Sequence, residues 1–156
     1  MEFKELLAAF AAKYGIEGFD GADGAAALEV DGIPVELLDD PQSHCLLACA
    51  EIGNPPPDAD GAFGAMMLQA NFLLRGTEGA TLCQNPETGA YALVRAFPLA
   101  LADAGSLGAG LESLVNQTEN WRKVLAGLRE AETARPAAAQ ADDSHHDMIS
   151  SGFVHV

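Results

Sequence analysis

The segment ATLCQNPETGAYALVRAFPLA, residues 80–100, decides the fold because it predicts a β-hairpin with a long second strand. Its centre is turn-forming: Pro86 fixes one backbone φ, and Gly89 can take a positive one. Side chains alternate across the second strand, so large residues face one way and small apolar residues the other. The large set is Tyr91, Leu93, Arg95 and Phe97, and the small set is Ala92, Val94 and Ala96. We expect both faces of such a sheet to be covered.

The segment before the hairpin predicts a helix without a polar face. Three prolines at residues 55–57 end the preceding structure, and Asp58 or Asp60 can cap a helix that runs to Arg75 and Gly76. Its apolar residues are Phe63, Met66, Met67 and Ala70 on one side, with Leu68, Phe72 and Leu73 largely on others. Such a helix in a small domain needs two apolar neighbours. We expect one to be its own sheet and the other to be a second subunit.

The first third of the chain predicts one helix and three strands. Apolar residues within residues 3–14 recur at the spacing of one helix face, and Gly15 is a natural stop. Alternation over residues 28–37, interrupted by Asp-Gly at 31–32, predicts a hairpin with one solvent-exposed face. In the run CLLACAEI, residues 45–52, the residues on both faces of the predicted strand are apolar up to Glu51. This pattern is typical of a more central strand.

The last third predicts a helix and a tail. Apolar residues between Leu107 and Leu128 form one stripe of a third helix. From about Ala131 the chain is rich in Ala, Asp and Ser, until the final GFVHV turns apolar again. The order helix, three strands, helix, two strands, helix is an α+β architecture with an antiparallel sheet covered by helices. We therefore expect one domain over residues 1–130 and an acidic, flexible tail over 131–156.

The charge of the chain restricts its partners. The net charge is -15, and only 8 residues are Lys or Arg, which argues against nucleic acid or an anionic membrane as a ligand. No run is long enough to span a membrane, and the N-terminal apolar run suits an amphipathic helix better than a signal peptide. The 3 cysteines have no C-x-x-C spacing, which predicts reduced thiols in a cytosolic protein.

The sequence contains no motif that predicts catalysis or a cofactor. A P-loop, GxGxxG, GxSxG and HExxH are all absent, so we expect a protein that is not an enzyme and has no cofactor. The cluster DDSHHD, residues 142–147, holds the best set of metal ligands, but a flexible tail lacks the fixed geometry that a metal site needs. We therefore predict no metal site.

The sequence is also compatible with two other functions, acid/base catalysis and the masking of a basic protein surface. Glu29, Asp31 and Glu36 could form a carboxylate cluster with acid/base chemistry, although alternation places them where a soluble sheet face is expected. An acidic inhibitor or immunity-type protein that masks a basic surface is the main alternative. It would need carboxylates ordered on a rigid surface, whereas many acids here fall in Gly-rich loops and in the tail.

The combined pattern resembles the Tir chaperone (CesT) family, the small acidic class I chaperones of bacterial type III secretion. The resemblance covers about residues 1–128. It is carried by FKELLAAFAAKYGI, LEVDGIPVELL, CLLACAEIG, AFGAMMLQANFLLRG, ATLCQNPETGAYALVRAFPL and LESLVNQTENWRKVL. The last three of these segments are the most specific in order and spacing.

The resemblance implies a cytoplasmic bacterial homodimer that binds without catalysis. Its client would be the extended N-terminal segment of a secreted effector, which adds to a sheet edge and fills shallow apolar grooves. A secretion ATPase is a further candidate partner. The dimer contact of the family corresponds here to Met66, Met67, Ala70, Leu73, Leu74 and Leu82. We place the effector grooves along the first helix and the sheet, at Leu7, Phe10, Leu28, Val30, Val35, Leu37 and Leu46, each of which is alternatively a residue of the core. The apolar end of the tail could compete with clients.

Overall fold

The computed structural model describes residues 1–54 and 62–134. The elements follow the predicted order, helix, three strands, helix, two strands, helix. Helices are α1 (Phe3–Tyr14), α2 (Ala62–Asn71) and α3 (Ala104–Thr133), and strands are β1 (Ala25–Val30), β2 (Ile33–Asp40), β3 (Cys45–Gly53), β4 (Thr81–Gln84) and β5 (Tyr91–Pro98). The C-terminal residues 135–156, including the DDSHHD cluster and GFVHV, lie outside the described residues.

The five strands form one antiparallel sheet in the order β1-β2-β3-β5-β4. The β1–β2 turn contains Asp31 and Gly32, both at positive φ, as the Asp-Gly pair predicted. β3 lies in the centre, between β2 and β5. The predicted α+β fold class with an antiparallel sheet is confirmed.

The second hairpin turns where its sequence predicted. The Asn85 side chain accepts hydrogen bonds from the backbone N–H groups of Glu87 at 2.9 Å and Thr88 at 3.3 Å. Gly89 takes the positive φ of 74° and donates its N–H to the Asn85 carbonyl at 2.8 Å. This turn fixes the register of β4 against β5, with Leu82 opposite Leu93.

The core lies between one face of the sheet and the helices α1 and α3. Each strand contributes alternate residues to it, as for Val35 and Leu37 of β2 and Leu93 and Phe97 of β5. α1 contributes Phe3, Leu6, Leu7 and Phe10, and α3 contributes Leu107, Leu111, Leu114, Val115, Trp121 and Leu125. The predicted stripes of both helices therefore face the sheet.

Helix ends are set by local chemistry. Gly15 ends α1 in the left-handed conformation, as predicted. Asp103 precedes α3 and accepts a hydrogen bond from the Ser106 N–H at 2.7 Å, and this bond lowers the pKa of its carboxyl group. α3 continues to Thr133, beyond the predicted stripe that ended at Leu128.

The second helix is shorter than predicted. α2 ends at Asn71, followed by a single 3₁₀ turn at Phe72–Leu74, whereas the prediction extended the helix to Arg75 and Gly76. Gly76 packs against Ala70, where a Cβ would lie 2.9 Å from the Ala70 Cβ. The Trp121 indole on α3 donates to the Gly76 carbonyl at 3.3 Å, so this bend is tied to the core.

The helices cover only one face of the sheet within the described residues, whereas the apolar pattern of β5 predicted cover on both. α1 and α3 pack on the core face. α2 lies beside the outer edge of β4, where Asn71 hydrogen-bonds to Leu82. The opposite face, here called the open face, carries the small residues of β5 and their neighbours. No helix of the described residues is long and apolar enough to cross a bilayer.

Candidate binding surfaces

The end of α2 exposes large apolar side chains. Leu68, Phe72 and Leu73 are 73%, 69% and 64% exposed, and Leu74 is 42% exposed. Leu73 and Leu74 both take positive φ, near 55°, a conformation that side chains other than those of Gly, Asn and Asp adopt rarely. We call these four residues the α2 surface. A contiguous patch of this kind on a soluble protein is typical of a contact site for another polypeptide.

The predicted dimer residues fall on both sides of α2. Leu73 and Leu74 belong to the α2 surface, and Met66 and Ala70 are half-buried. Met67 and Leu82 are buried in the core of the same chain. Their side chains pack inward between α2 and the sheet, so these two residues offer little surface to a second subunit.

A groove of about 550 Å³ runs between α2 and the β4–β5 hairpin. Leu68 and Ala65 of α2 form one wall, and Cys83, Gln84 and Tyr91 form the other. Met67 and Leu82 lie at its base. The groove adjoins the α2 surface, because Leu68 belongs to both.

The predicted effector-binding residues are mostly core residues. Leu7, Phe10, Val35, Leu37 and Leu46 are each no more than 4% exposed and lie beneath α1 and α3. The core alternative therefore holds for these five residues in the single chain, because their side chains face α1 and α3. Leu28 and Val30 of β1 are half-buried at the margin of the core. These two alone of the seven retain accessible side-chain surface beyond a few per cent.

The two edges of the sheet differ. On β4, the Asn71 side chain accepts from the Leu82 N–H at 2.9 Å and donates to the Leu82 carbonyl at 3.1 Å. That amide occupies both outward backbone groups of Leu82, so a strand cannot pair there. β1 pairs only with β2 among the described strands, which leaves its outer edge over residues 25–30 without a neighbouring strand. Backbone pairing with another chain is therefore open at β1.

The open face carries small apolar residues that were not among the predicted site residues. Strand register aligns Glu36, Cys49, Val94 and Thr81 in one row and Leu38, Leu47 and Ala96 in the next. A third row contains Glu51, Ala92 and Cys83. The sequence pattern that could have identified this face is the alternation along β5, where small residues lie opposite the large residues that enter the core.

Three free thiols lie on the open face, at Cys45, Cys49 and Cys83. Cys45 and Cys49 share one face of β3, as alternation predicted. Burial raises the pKa of Cys49 to about 11, with smaller contributions from Cys83, Glu36 and Glu51. Burial also raises the pKa of Cys83. Both thiols are therefore neutral at physiological pH.

The candidate carboxylate cluster is spread over the first hairpin. Glu29 and Glu36 are exposed and diagonal to one another on the open face, since Glu29 pairs with Pro34. Asp31 lies in the turn and is also exposed. The described residues contain no group of three or more side chains able to hold a metal ion. The arrangement is that of a solvated sheet margin.

The sequence that forms these surfaces matches a known protein family. The model of the Tir chaperone protein (CesT) family matches residues 5–122, which span α1 to the middle of α3. The chain is a member of the CesT family. The match confirms the resemblance that the sequence pattern suggested, and it makes the chain a relative of the chaperones of type III secretion. No curated protein sequence matches the chain.

Solved structures share the fold of this CesT-family chain. The HopA1–SchA chaperone–effector complex aligns with a TM-score of 0.66 at 20% identity, over 78% of this chain and 93% of that one. The ExsC–ExsE complex gives a TM-score of 0.66 at 20% identity, over 80% and 97%. The heterodimeric ExoU–SpcU complex from the type III secretion system of Pseudomonas aeruginosa gives 0.62 at 16%, over 74% and 94%. These likenesses confirm the α+β secretion-chaperone fold.

Proposed function

We propose that this chain is a homodimeric, non-catalytic type III secretion chaperone that holds the extended N-terminal segment of an effector in a secretion-competent state. The family match over residues 5–122 is the observation on which the proposal rests. The structures of similar fold include one described as a chaperone–effector complex and one described as a heterodimeric complex from a type III secretion system, which supports the same class of partner. A bacterial cytoplasmic location, and delivery to a secretion ATPase, belong to the same proposal.

The α2 surface is the proposed dimer contact. A second copy would bring its Leu68 and Phe72 against the groove between α2 and β4 of the first, and the reverse contact would follow by twofold symmetry. Met66 and Ala70, half-buried on the same helix, would complete the seam. Removing several large apolar side chains from water favours the association by about 25 cal/mol for each Å² buried.

The outer edge of β1 is the proposed site for client backbone. An extended segment added there gains a ladder of main-chain hydrogen bonds without dependence on its sequence. Leu28 and Val30, half-buried on this strand, would contact its side chains. β4 cannot serve equally well because Asn71 already occupies the outward groups of Leu82. A disordered client offsets its ordering entropy through such a long contact.

Co-expression tests this function. The chain is produced together with the N-terminal segments of the secreted proteins of the organism that encodes it, one at a time. We expect at least one segment that is insoluble alone to become soluble and to co-purify with the chain. Amide hydrogen exchange of that complex should slow at residues 25–30 relative to the free chain. Failure of every segment to co-purify would contradict the proposal.

A further inference from the structure

The open face contains a hollow of about 770 Å³ between the middle of the sheet and the β4–β5 turn. Its lining includes Glu36, Cys49, Glu51, Cys83, Ala92 and Arg122, and the turn residues 85–88 form one wall. We call this hollow the cup. It shares Cys83 and Gln84 with the groove beside α2, so the two depressions adjoin at these residues. A bulge in β3 between Glu51 and Gly53 lies at its margin.

The floor of the cup is small, apolar and uncharged. Ala92 is buried, and Cys49 and Cys83 are half-buried beside it. Burial keeps the pKa of both thiols above the ordinary value, so neither carries charge at neutral pH. Alanine and cysteine leave room above the sheet that a larger side chain would fill. The floor therefore favours an apolar side chain from another polypeptide.

The rim of the cup is negative. Glu36, Glu51 and Glu87 line it and are exposed, against a single lining cation, Arg122, so the lining carries a formal charge of -2 from three carboxylates and one guanidinium. The Arg122 guanidinium is engaged, since it donates to the Glu51 backbone carbonyl at 2.7 and 3.1 Å. An anionic occupant is thus disfavoured.

The register places two of these carboxylates around the floor. Glu36 lies directly opposite Cys49 on the neighbouring strand. Glu51 lies two residues further along β3, about 6.6 Å from Cys49 at the usual strand rise. A side chain seated over Cys49 therefore has a carboxylate on two sides. That spacing suits an apolar residue with a cationic residue next to it.

We propose that the cup binds one apolar anchor residue of the client, flanked by Lys or Arg whose cation pairs with Glu36 and Glu51. This cup proposal rests on the proposed chaperone function. It adds a preference for particular client side chains, which backbone pairing at the open edge of β1 does not supply. Backbone pairing at β1 accepts any sequence, whereas the cup selects cationic and apolar neighbours. The partner is an extended polypeptide because no described helix covers the open face around the cup, which leaves room for a chain to cross it.

Selection from a phage-displayed library of random 12-residue peptides on the purified full chain tests the preference. The same library is selected on the double variant Glu36→Gln with Glu51→Gln. A control double variant, Glu112→Gln with Glu119→Gln, removes two exposed carboxylates from α3. We expect peptides from the unaltered chain to carry Lys or Arg beside Leu, Ile, Met or Phe. That enrichment should persist on the control and disappear on the cup variant.

Binding strength and position complete the test. The best synthetic peptide should bind the cup variant about fivefold more weakly than the unaltered chain, because two solvent-exposed ion pairs are lost. Bound peptide should slow alkylation of Cys49 and Cys83 more than that of Cys45, which lies at the other end of β3. Acidic or uncharged selected peptides, no enrichment at all, or protection outside the cup would overturn the inference. Co-purification with effector segments is measured independently of these results. Failure of the proposed chaperone function can therefore be distinguished from failure of the cup's sequence preference.

Discussion

The side-chain amide of Asn71 closes the outer edge of the sheet at Leu82 through two hydrogen bonds, of 2.9 and 3.1 Å. This contact joins the last residue of α2 to β4, and it fixes the position of the exposed leucines that follow. The edge strand that remains open is β1, which lies at the opposite edge of the sheet from β4. The proposed dimer side and the proposed client side therefore lie at opposite edges of the sheet.

Replacing Asn71 by alanine should lower the free energy of unfolding by about 1–3 kcal/mol, since the part-buried N–H and carbonyl of Leu82 lose their partners. Urea denaturation followed by circular dichroism measures the change. Asn120→Ala, at an exposed position of α3, is the matched control and should change stability by less than about 0.5 kcal/mol. Equal effects of the two substitutions would contradict this role of Asn71.

Replacing Leu68 by glutamate should separate the dimer while leaving the subunit folded. Leu68 is 73% exposed in the single chain, so the charge is solvated in the monomer and buried only at the proposed seam. Met67→Glu would instead place a charge in the core of the subunit. Light scattering after gel filtration measures the mass, from twice 16.2 kDa to 16.2 kDa.

Leu101→Glu is the matched control for the seam. Leu101 is 83% exposed and follows β5, whereas α2 contacts the opposite end of that strand through Phe63 and Tyr91. We expect this variant to keep the dimeric mass. A Leu68→Glu protein of unchanged mass, or a monomeric unaltered chain at high concentration, would refute the placement of the seam.

Two glycines of α3 should respond oppositely to alanine. A Cβ at Gly110 would overlap the buried ring of Phe97, so Gly110→Ala should destabilise the protein by about 1–3 kcal/mol. Gly127 has no neighbour within 4 Å of its Cβ position, and Gly127→Ala should stabilise by about 0.4–1 kcal/mol. Thermal denaturation of the two variants measures both changes. Effects of the same sign would be inconsistent with the packing described.

Cys49 should be slow to alkylate. Its pKa of about 11, against the ordinary 9.0, reduces the thiolate fraction at pH 8 by on the order of a hundredfold. Mass spectrometry after iodoacetamide treatment compares the folded chain with the same chain in urea, which serves as the control. Equal rates in the two states would contradict the burial of this thiol.

The same shift has a defined sign for stability. The folded state favours the neutral thiol of Cys49, so its contribution is present in full below pH 9.0 and is lost as the pH rises through about 11. Cys49→Ala should therefore flatten the decline of stability over that range. Urea denaturation at pH 8 and at pH 10.5 would detect this difference, and parallel declines in the two proteins would count against it.

The fold was predictable where the local signals agreed. Asn85 to Gly89 contain turn residues that act within the turn itself, and Gly15 stops α1 in a conformation that glycine adopts freely. The division of β5 into large and small sides was also correct, because strand alternation needs no tertiary information. The end of α2 was not predictable in this way, since Leu73 and Leu74 take a conformation that leucine disfavours.

The binding surfaces were harder to predict for a physical reason. Alternation identifies the two faces of a strand, but the most apolar face enters the core, so Val35 and Leu37, proposed for a client groove, are buried in the single chain. The strand residues that line the cup on the open face are mainly alanine, cysteine and glutamate, whose hydrophobic signal is weak. The cup also depends on the approach of Arg122 to Glu51, residues 71 apart in sequence.

The central claim is that this chain holds an unfolded segment of another protein, and the most direct measurement is capture from native cytosol followed by identification of the fragment that resists protease. We predict an N-terminal segment of a secreted protein, still bound at about 0.5 M salt, where exposed charge pairs are strongly screened. A folded basic partner released by that salt would favour the masking of a basic surface instead. That result, or the absence of any bound polypeptide, would contradict the account.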